Sequence, residues 1–444
     1  MAACSSVDVD RWWRSIRDLW LDWFAGCFGR VEPRRSAWSY VQGLMSLVGR
    51  KNCWWLAQQA GHGGPGRLQR LLDTARWDAD VLRDALLRLV AALVAVADGV
   101  LVVDETGYPK GGDMSVAVAR HYSGTLGKVD NCQVAVFLGY ATCRLRLLVD
   151  RALYLPKTWA GDPDRRAKTG VPEQVGFATK TQLALTMIRR AVTAGIAAAW
   201  VAADEVYGRD GRFRAGLRAL GLGYVLAVAR DQHVRIAGQR HRVDVLTARL
   251  PAAAWQTYSC GLGAKGPRYY QWAWIGIDGD GTGGRHSLLV RRASDGTLTY
   301  YLAWHTTPVA LPTLVGVAGR RWTIEECFQV GKDQFGLDHT QVRSWHGWHR
   351  HAPLTMVAFA LTVLAIRDDQ PQPAVTPHDL THPTGPIAVT INEARHLIAT
   401  IILAAQPAGR ALIDHLLSWS AWRRDHQTHA RAAHYRQRLS IATC

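Results

Sequence analysis

Hydrophobic residues near the start of the chain recur every three or four positions, as they do along one face of an α-helix. The recurring residues of the first stretch are Trp12, Ile16, Leu19, Trp20 and Trp23. Two further helices are predicted at Val41–Ala60 and Asp78–Ala97, with the glycine-rich break Gly61–Gly66 between them. The first 98 residues are therefore predicted to form an all-α unit.

At Gly99 the pattern changes to short β-branched runs separated by helical stretches. The runs that predict strands are Val100–Val103, Gln133–Ala141, Arg144–Ala152, Trp200–Ala203 and Tyr224–Val228, and the stretches that predict helices are Glu173–Ala194 and Gly211–Leu220. The resulting order, β-β-β-α-β-α-β, combines hairpin strands with crossover helices. It predicts an α/β fold in which helices cover a mixed sheet.

Residues 231–317 show a third pattern, in which short strands alternate with glycine-rich turns such as GDGTGG. The predicted strands are Val234–Ile236, Tyr269–Ile275, Ser287–Arg291 and Leu298–Ala303. Helical patterns return at Arg320–Phe335 and Trp348–Arg367, and a proline-rich stretch then leads into a basic helical segment at Asn392–Leu439. We therefore predict five segments, with boundaries at 1–98, 99–230, 231–317, 318–368 and 369–444.

The composition adds a strong basic charge to this picture. The 444 residues include 53 Lys and Arg against 36 Asp and Glu, which gives a formal charge of +17. Such a surplus is typical of proteins that bind nucleic acid. Only 8 of the 53 basic residues are lysine, however, and abundant arginine is also typical of GC-rich codons. The 19 tryptophans favour nucleic acid modestly, because indole rings stack on bases, although most of them are expected in the core.

The same numbers exclude several classes of protein. A chain with 48% hydrophobic and 20% charged residues has a globular balance, which excludes disorder over its whole length. The longest apolar run, Leu89–Ala97, is far shorter than the roughly 20 residues that a membrane span needs. No secretory signal is visible, and the 8 cysteines include no CxxC pair. We therefore expect a reduced, cytoplasmic protein without a zinc site.

Two aspartates, Asp104 and Asp204, directly follow two of the predicted strands. If those strands lie side by side, their ends place the two carboxylates together at the rim of the sheet. Paired carboxylates repel each other unless a cation lies between them, and hard oxygen ligands select Mg²⁺ or Mn²⁺. With a third carboxylate they would form a two-metal site suited to phosphodiester chemistry.

The helix predicted at Arg320–Phe335 carries a suitable third carboxylate. Arg321, Glu325, Phe328 and Lys332 fall on a single helical stripe. A glutamate between two cations suits a site where a metal, a carboxylate and a DNA phosphate meet. Each signal also has an ordinary alternative. An aspartate after a strand is often a turn or cap residue, and an Arg-Glu-Lys stripe is often a solvated face.

Three stretches carry longer patterns than these single residues: LVVDETGYPKGG, ARHYSGTLGKVDNCQVAV and RRWTIEECFQVGKDQFGLDHTQVRSWHGWHRH. Together they resemble bacterial insertion-sequence DDE transposases, in particular the seven-oh-one group of the cut-and-paste superfamily that has a β insertion before the catalytic glutamate. The resemblance extends from about Tyr40 to the C-terminus. It implies an RNase H-like core in segments 99–230 and 318–368, with a metal-binding triad of Asp104, Asp204 and Glu325.

The glutamate motif of that superfamily is Tyr, two residues, Arg, three residues, Glu, six residues and Lys. Arg321, Glu325 and Lys332 match the motif, whereas its Tyr position is occupied by Ala318. This departure leaves open which side chain takes over the phosphate contact of the tyrosine. The same spacing favours Glu325 over its neighbour Glu326.

The other two carboxylates also have acidic neighbours, Glu105 and Glu205. Successive side chains on a strand point to opposite faces, so only one member of each pair can line the site. The form Asp-x-Thr favours Asp104 over Glu105.

Basic and aromatic residues outside the triad are candidates for DNA contacts. They are Lys110, Arg120 and Lys128 after the first aspartate, Arg343, Trp345, Trp348 and Arg350 after the glutamate helix, and Arg423 and Arg424 in the tail. The alternatives are a plain basic hairpin for the first group, tryptophans packed against the core for the second and a solvated face for the third. Lys180, at the start of a helical stretch, is expected to be solvated.

These features predict a transposase whose helical N-terminal domain binds the terminal inverted repeats of double-stranded DNA. Two Mg²⁺ or Mn²⁺ ions would support hydrolysis at the element ends, and the freed 3′-hydroxyls would then join target DNA. The resemblance implies a homodimer on DNA in the bacterial cytoplasm, associated with the nucleoid. The alternatives are a catalytically silent, transposase-derived DNA-binding protein, acting as repressor or scaffold, and a stand-alone RNase H-like nuclease.

Overall fold

The computed structural model describes residues 6–123, 127–263, 266–281, 283–369 and 389–404. Within them, the chain begins with the predicted helical unit. Its helices are α1 (Ser6–Leu19), α2 (Val31–Met45), α3 (Cys53–Gln59), α4 (Gly66–Leu72) and α5 (Ala79–Leu93). Trp12, Ile16 and Trp20 are buried. The apolar stripe of α1, continued by a π-helical turn at Trp20–Phe24, therefore faces the core.

The prediction that Val41–Ala60 forms one helix is wrong. The structure divides it between α2, which ends at Met45, and α3, which begins at Cys53. The side chain of Asn52 accepts hydrogen bonds from the backbone amides of Trp54 and Trp55. Asn52 is therefore an N-cap, and it starts a new helix where the apolar pattern alone continued the old one.

The core sheet contains the five strands predicted for residues 99–230 and one more. Its strands are β1 (Val100–Pro109), β2 (Ala119–Ser123), β3 (Lys128–Ala141), β4 (Arg146–Leu153), β5 (Trp200–Ala203) and β6 (Gly223–Val228). β1 is antiparallel to β3 and parallel to β5, and β6 is parallel to β5. Both β2 and β4 pair with β3. The order β4-β3-β1-β5-β6 is the mixed sheet of an RNase H-like fold.

Helices connect and cover these strands. They are α6 (Lys157–Ala160), α7 (Pro163–Thr169), α8 (Lys180–Thr193), α9 (Glu205–Gly208) and α10 (Gly211–Ala219). α8 begins later than the predicted start at Glu173. The cause is a capping box, in which Thr179 and Gln182 satisfy each other's backbone amides at the first turn.

Residues 231–317 are rich in strands, as predicted, and most of these strands continue the core sheet. The elements are β7 (His233–Ile236), β8 (Gln239–Arg242), α11 (Val243–Ala248), β9 (Gln256–Gly263), β10 (Gly266–Ile277), β11 (Arg285–Arg292) and β12 (Leu298–His305). β12 pairs with β6, and β11, β10 and β9 follow in that order, whereas β7 and β8 form a separate hairpin. This segment thus lengthens the sheet beyond β6, its last parallel strand.

Helices close the described part of the chain: α12 (Leu311–Arg320), α13 (Trp322–Phe335), α14 (Trp345–Ala365) and α15 (Ile391–Leu397). The pattern at Arg320–Phe335 correctly predicted α13 but missed α12, which ends directly before it. α14 is buried along most of its length. No helix in the described part of the chain has both the length and the apolarity to cross a membrane. The proline-rich stretch and most of Asn392–Leu439 lie outside the described residues.

α12 packs closely on β9, and two of its glycines make a matched test of that contact. A Cβ added at Gly319 would overlap the carbonyl of Cys260, whereas one added at Gly316 would meet open space. We expect Gly319→Ala to lower the free energy of unfolding by about 1–3 kcal/mol, because the backbones must separate. Gly316→Ala should raise it by about 0.5–1 kcal/mol through helix propensity. Urea unfolding measures both, and equal effects would contradict the close packing.

His351 on α14 is buried in a single tautomer. Its Nε2 lies 3.1 Å from the carbonyl oxygen of Gly336 and must donate that hydrogen bond, so Nδ1 accepts one from the hydroxyl of Tyr40 at 2.9 Å. Burial lowers the pKa of His351 to about 4, and the positive charges of Lys110 and His339 add to this effect. The folded protein therefore keeps the imidazole neutral at a pH where the unfolded chain protonates it.

We expect the stability of the protein to fall as the pH is lowered from about 6.5 towards 4, because only the unfolded state gains this proton. At pH 5, His351 should account for a loss of about 2 kcal/mol in the free energy of unfolding. Urea titrations at pH 7 and pH 5 should show a smaller pH effect in His351→Gln than in the parent protein. An identical pH effect in both would show that another group is responsible.

Candidate active site

Asp104 and Asp204 lie side by side because their strands pair in parallel. Val103 of β1 is in register with Ala203 of β5, and an aspartate follows each of these residues. Asp204 directly follows β5, as predicted, whereas the prediction that Asp104 follows its strand is wrong: β1 continues through Asp104 to Pro109 because it stays paired with β3, and only its pairing with β5 ends at Val103. Asp204 also caps α9, where its Oδ1 accepts a hydrogen bond of 2.9 Å from the backbone amide of Val206. The parallel register and the helix cap together place both carboxylates where the pairing of β1 with β5 ends.

The surroundings of the two aspartates disfavour their ionisation. The pKa of Asp104 rises to about 7, first because the group is buried and then because of the charge on Asp204. The pKa of Asp204 is also raised, by burial and by the charge of Glu105. Carboxylates that repel each other in this way form a favourable environment for a divalent cation.

The junction between α12 and α13 brings a cation and a third carboxylate to the aspartates. Arg321 occupies the N-cap position of α13. Its Nη2 lies 2.5 Å from Oε1 of Glu325 and its Nη1 lies 3.6 Å from Oδ2 of Asp104. Further along α13, Nζ of Lys332 lies 3.5 Å from the carbonyl oxygen of Gly107 on β1. The stripe predicted from the sequence therefore faces the end of β1.

Glu326, the neighbour of Glu325, has a different partner. Its Oε2 lies 2.9 Å from Nε of Arg146 on β4. Glu325 shares Arg321 with Asp104, whereas Glu326 is held towards β4. The geometry thus agrees with the spacing argument that favoured Glu325.

Asp104 and Glu105 face opposite sides of the sheet, as alternation along a strand requires. Asp104 faces α13, whereas Glu105 lies 2.5 Å from Nζ of Lys180 and accepts a 2.7 Å hydrogen bond from the hydroxyl of Tyr207. The prediction that Lys180 is solvated is wrong, because its side chain is only 29% exposed and pairs with Glu105. Sequence reasoning missed Tyr207; its only signal is its position one turn after Asp204, on the helix that this aspartate caps.

The chemistry of the donor set fits a divalent metal. Asp104, Asp204 and Glu325 offer hard carboxylate oxygens, and a cation would relieve the repulsion between the two aspartates. In the described residues, no three Asp, Glu, His or Cys side chains are close enough to hold one ion together. The guanidinium of Arg321 lies between Asp104 and Glu325. The two-ion site expected from the sequence therefore stays a prediction.

The first group of predicted DNA contacts lies around the hairpin of β2 and β3. Arg120 is exposed and is in register with Asn131, whose side chain donates a 3.1 Å hydrogen bond to the carbonyl of Lys110. Nζ of Lys110 donates to the carbonyl of Thr340 at 2.9 Å, and burial lowers its pKa to about 8. Lys128 is exposed and lies 3.3 Å from Asp130. Arg120 and Lys128 therefore present their charges to solvent, whereas Lys110 is engaged within the fold.

The second group divides between surface and core. Arg343 is exposed, and the ring of Trp345 lies 4.1 Å from that of His349. Trp348 is only 1% exposed, so the structure supports the packing alternative for this residue. The guanidinium of Arg350 donates to four backbone carbonyls, those of Leu72, Asp73, Ala75 and Trp77. Arg423 and Arg424 lie outside the described residues.

An RNase H-like sheet with Asp104 on its central strand and Asp204 directly after the neighbouring parallel strand defines a nuclease-type fold. Residues 23–251 match the family described as "DDE superfamily endonuclease", and residues 171–362 match the family described as "Transposase DDE domain". The first match covers more than half of the chain. The chain therefore belongs to the DDE superfamily endonucleases.

A curated relative is described as "Probable transposase for insertion sequence element IS701", from Microchaete diplosiphon. It is 29% identical over 228 residues, which are 50% of this chain and 56% of the relative. This chain thus spans about half the length of that relative. Among solved structures, the NurA nuclease from Sulfolobus solfataricus is 8% identical over 51% of this chain and 73% of its own. The TM-score of this match is 0.24.

The contacts of Arg350 predict that its main contribution is to stability. Arg350→Lys should lower the free energy of unfolding by about 1–3 kcal/mol, because an ammonium group cannot reach the same set of carbonyls as a planar guanidinium. Arg343→Lys, the same change at an exposed position, should alter it by less than about 0.5 kcal/mol. Denaturant unfolding compares the two. An Arg350→Lys protein with parental stability and weaker DNA binding would contradict this assignment.

Proposed function

We propose that this protein is a DNA transposase. It binds the ends of its own mobile element, cleaves them by metal-dependent hydrolysis of phosphodiester bonds and joins the freed 3′-hydroxyl ends to target DNA. The observation that carries this proposal is the meeting of Asp104 and Asp204 with the pair Arg321 and Glu325 where the pairing of β1 with β5 ends. Membership of the DDE superfamily supports the nuclease chemistry, and the relative described as a probable transposase supports a transposase rather than a nuclease of another kind.

In the proposed site, Asp104, Asp204 and Glu325 would hold two divalent ions, Mg²⁺ or Mn²⁺, which supply Lewis acidity and an activated oxygen nucleophile. Arg321 is a suitable partner for a DNA phosphate, because a guanidinium presents a planar fork of donors. Lys332 supplies a second cation on the same face of α13. The reaction needs no covalent intermediate with the protein, because first water and then the DNA 3′-hydroxyl attack phosphorus in line.

The charge distribution supports double-stranded DNA as the partner. The chain has a formal charge of +17, and Arg120, Lys128 and Arg343 are exposed. In this proposal the N-terminal helices bind the terminal inverted repeats. Because cut-and-paste chemistry must hold two element ends together, the active form is proposed to be a homodimer on DNA. Its place would be the bacterial cytoplasm, at the nucleoid.

The adjacent glutamates of α13 provide a matched test. Purified protein is incubated with Mg²⁺ or Mn²⁺ and DNA that carries the flanking ends of the gene. We expect metal-dependent cleavage at the ends and joining to a target. Glu325→Gln should slow both steps by at least about 100-fold, because it removes a charge that binds the metal. Glu326→Gln removes only an ion pair with Arg146 and should stay within about fivefold of the parent.

The other outcomes point to different functions. Specific binding of the ends without cleavage by parent or variants would indicate a DNA-binding descendant and overturn the catalytic proposal. Cleavage without joining would indicate a stand-alone nuclease. Equal losses in Glu325→Gln and Glu326→Gln would refute the assignment of Glu325 as the third carboxylate.

A further inference from the structure

On the face of the sheet opposite α13, one carboxylate is held by two side chains that the proposed reaction leaves unused. Oε1 of Glu105 lies 2.5 Å from Nζ of Lys180, and Oε2 accepts a 2.7 Å hydrogen bond from the hydroxyl of Tyr207. The side chain of Glu105 is 19% exposed, and Tyr207 is fully buried. Both carboxylate oxygens are therefore engaged, and the rotamer of Glu105 is fixed from two directions.

This contact links the segments that carry the two aspartates. Glu105 directly follows Asp104 on β1, and Tyr207 belongs to α9, the helix that Asp204 caps. A shift of Tyr207 relative to Glu105 is therefore also a shift of Asp204 relative to Asp104. Lys180, on the first turn of α8, also contacts Glu105, so that β1, α8 and α9 all meet at this carboxylate.

α9 has little freedom to move away from this contact. A Cβ added at Gly208, the residue after Tyr207, would overlap the carbonyl of Ala227 on β6. The helix therefore lies directly on the backbone of the sheet. α9 contacts both the backbone of β6, at Gly208, and the carboxylate of Glu105, through Tyr207. These two contacts fix the position of the Tyr207 hydroxyl relative to β1.

Packing alone is a poor reason for a carboxylate at this place. A carboxylate so little exposed loses hydration and must be compensated by partners. Glu105 also adds negative charge beside two aspartates that already repel each other. An apolar residue would fill the same space without that repulsion. The lost hydration and the added repulsion are offset if Glu105 fixes the position of Asp104 relative to Asp204.

We propose that Glu105, Lys180 and Tyr207 are positioning residues that set the separation of Asp104 and Asp204 and thereby the affinity of this pair for a divalent cation. The inference rests on the proposed function, in which the two aspartates bind metal. None of the three residues touches substrate in this proposal. They act through the backbone of β1 and through α9.

The first experiment measures metal binding without DNA. The full-length protein is titrated with Mn²⁺ alone, and binding is followed by calorimetry and by the electron paramagnetic resonance of free Mn²⁺. Tyr207→Phe removes one hydroxyl and should weaken Mn²⁺ binding about tenfold, because it deletes a hydrogen bond to a charged group. Lys180→Met should have a similar effect, whereas Lys180→Arg, which keeps a cation for Glu105, should restore most of the affinity.

Tyr140→Phe is the matched control. Tyr140 is a buried tyrosine on β3 whose hydroxyl binds the backbone of Val96 and Ala197. It is in register with Leu101, three residues before Asp104 on β1. This variant should lose at least as much thermal stability as Tyr207→Phe and bind Mn²⁺ like the parent. If Tyr207→Phe and Lys180→Met also keep parental Mn²⁺ affinity, the three residues have only a structural role and the inference is overturned.

A second experiment separates this inference from the proposed function. In the cleavage assay, Tyr207→Phe should raise the Mn²⁺ concentration needed for half-maximal rate about tenfold and leave the rate at saturating Mn²⁺ within about threefold of the parent. A parent that binds Mn²⁺ in a Tyr207-dependent way but cuts no DNA supports the positioning role and refutes the transposase. A parent that cuts DNA with a metal requirement unaffected by Tyr207→Phe refutes the positioning role alone.

Discussion

The parallel register of β1 and β5 forces Asp104 and Asp204 together, and their repulsion is the constraint on which the rest of the site depends. The backbone hydrogen bonds of two buried strands cannot adjust to separate the charges. The surroundings therefore have to compensate. Burial and proximity raise the pKa of Asp104 to about 7, and Arg321 reaches in from α13 to within 3.6 Å of that carboxylate. If β1 and β5 paired in another register, the two aspartates would lie apart and their repulsion would not have to be compensated.

The helices on the two faces of the sheet respond to this constraint in different ways. On one face, the break between α12 and α13 turns Arg321 towards Asp104 and places Glu325 one turn later. On the other face, Glu105 is anchored by Lys180 and Tyr207. The first face holds the groups proposed for chemistry, and the second holds the groups proposed for alignment. Alternation along β1 separates the two sets by a single residue.

The strand-rich segment 231–317 is part of the sheet that carries the candidate site, because β12 pairs directly with β6 and extends that sheet. The chain then returns to the site through α12, which packs on β9 where Gly319 allows close approach. The position of Arg321 at the end of α12 therefore depends on how the insertion is packed. Segment 231–317, which the sequence predicts as a separate β-rich segment, thus helps to position Arg321 in the candidate site.

The basic and aromatic residues after the glutamate helix form one cluster in the sequence, but in the structure some are exposed and others are buried or bound within the fold. Arg343 and Arg350 are both arginines in one cluster, yet the first is exposed and the second binds four backbone carbonyls. Trp348 is buried in the core, while Trp345 lies against His349 near the surface. Periodicity cannot distinguish these cases, because the local pattern is the same and the difference comes from segments far away in the sequence.

The sequence by itself determined the two strands that lead to Asp104 and Asp204, the helix that carries Glu325 and the mixed character of the sheet, because these follow from local periodicity and residue type. It did not show that β1 continues past Asp104 to Pro109, because that extension depends on pairing with β3. It failed where a cap overrides periodicity, as at Asn52 and Thr179. Only the tertiary structure decided that Glu326 turns to Arg146 and that Lys180 and Tyr207 meet at Glu105. These pairings join residues distant in sequence, and their geometry exists only once the strands and helices have packed.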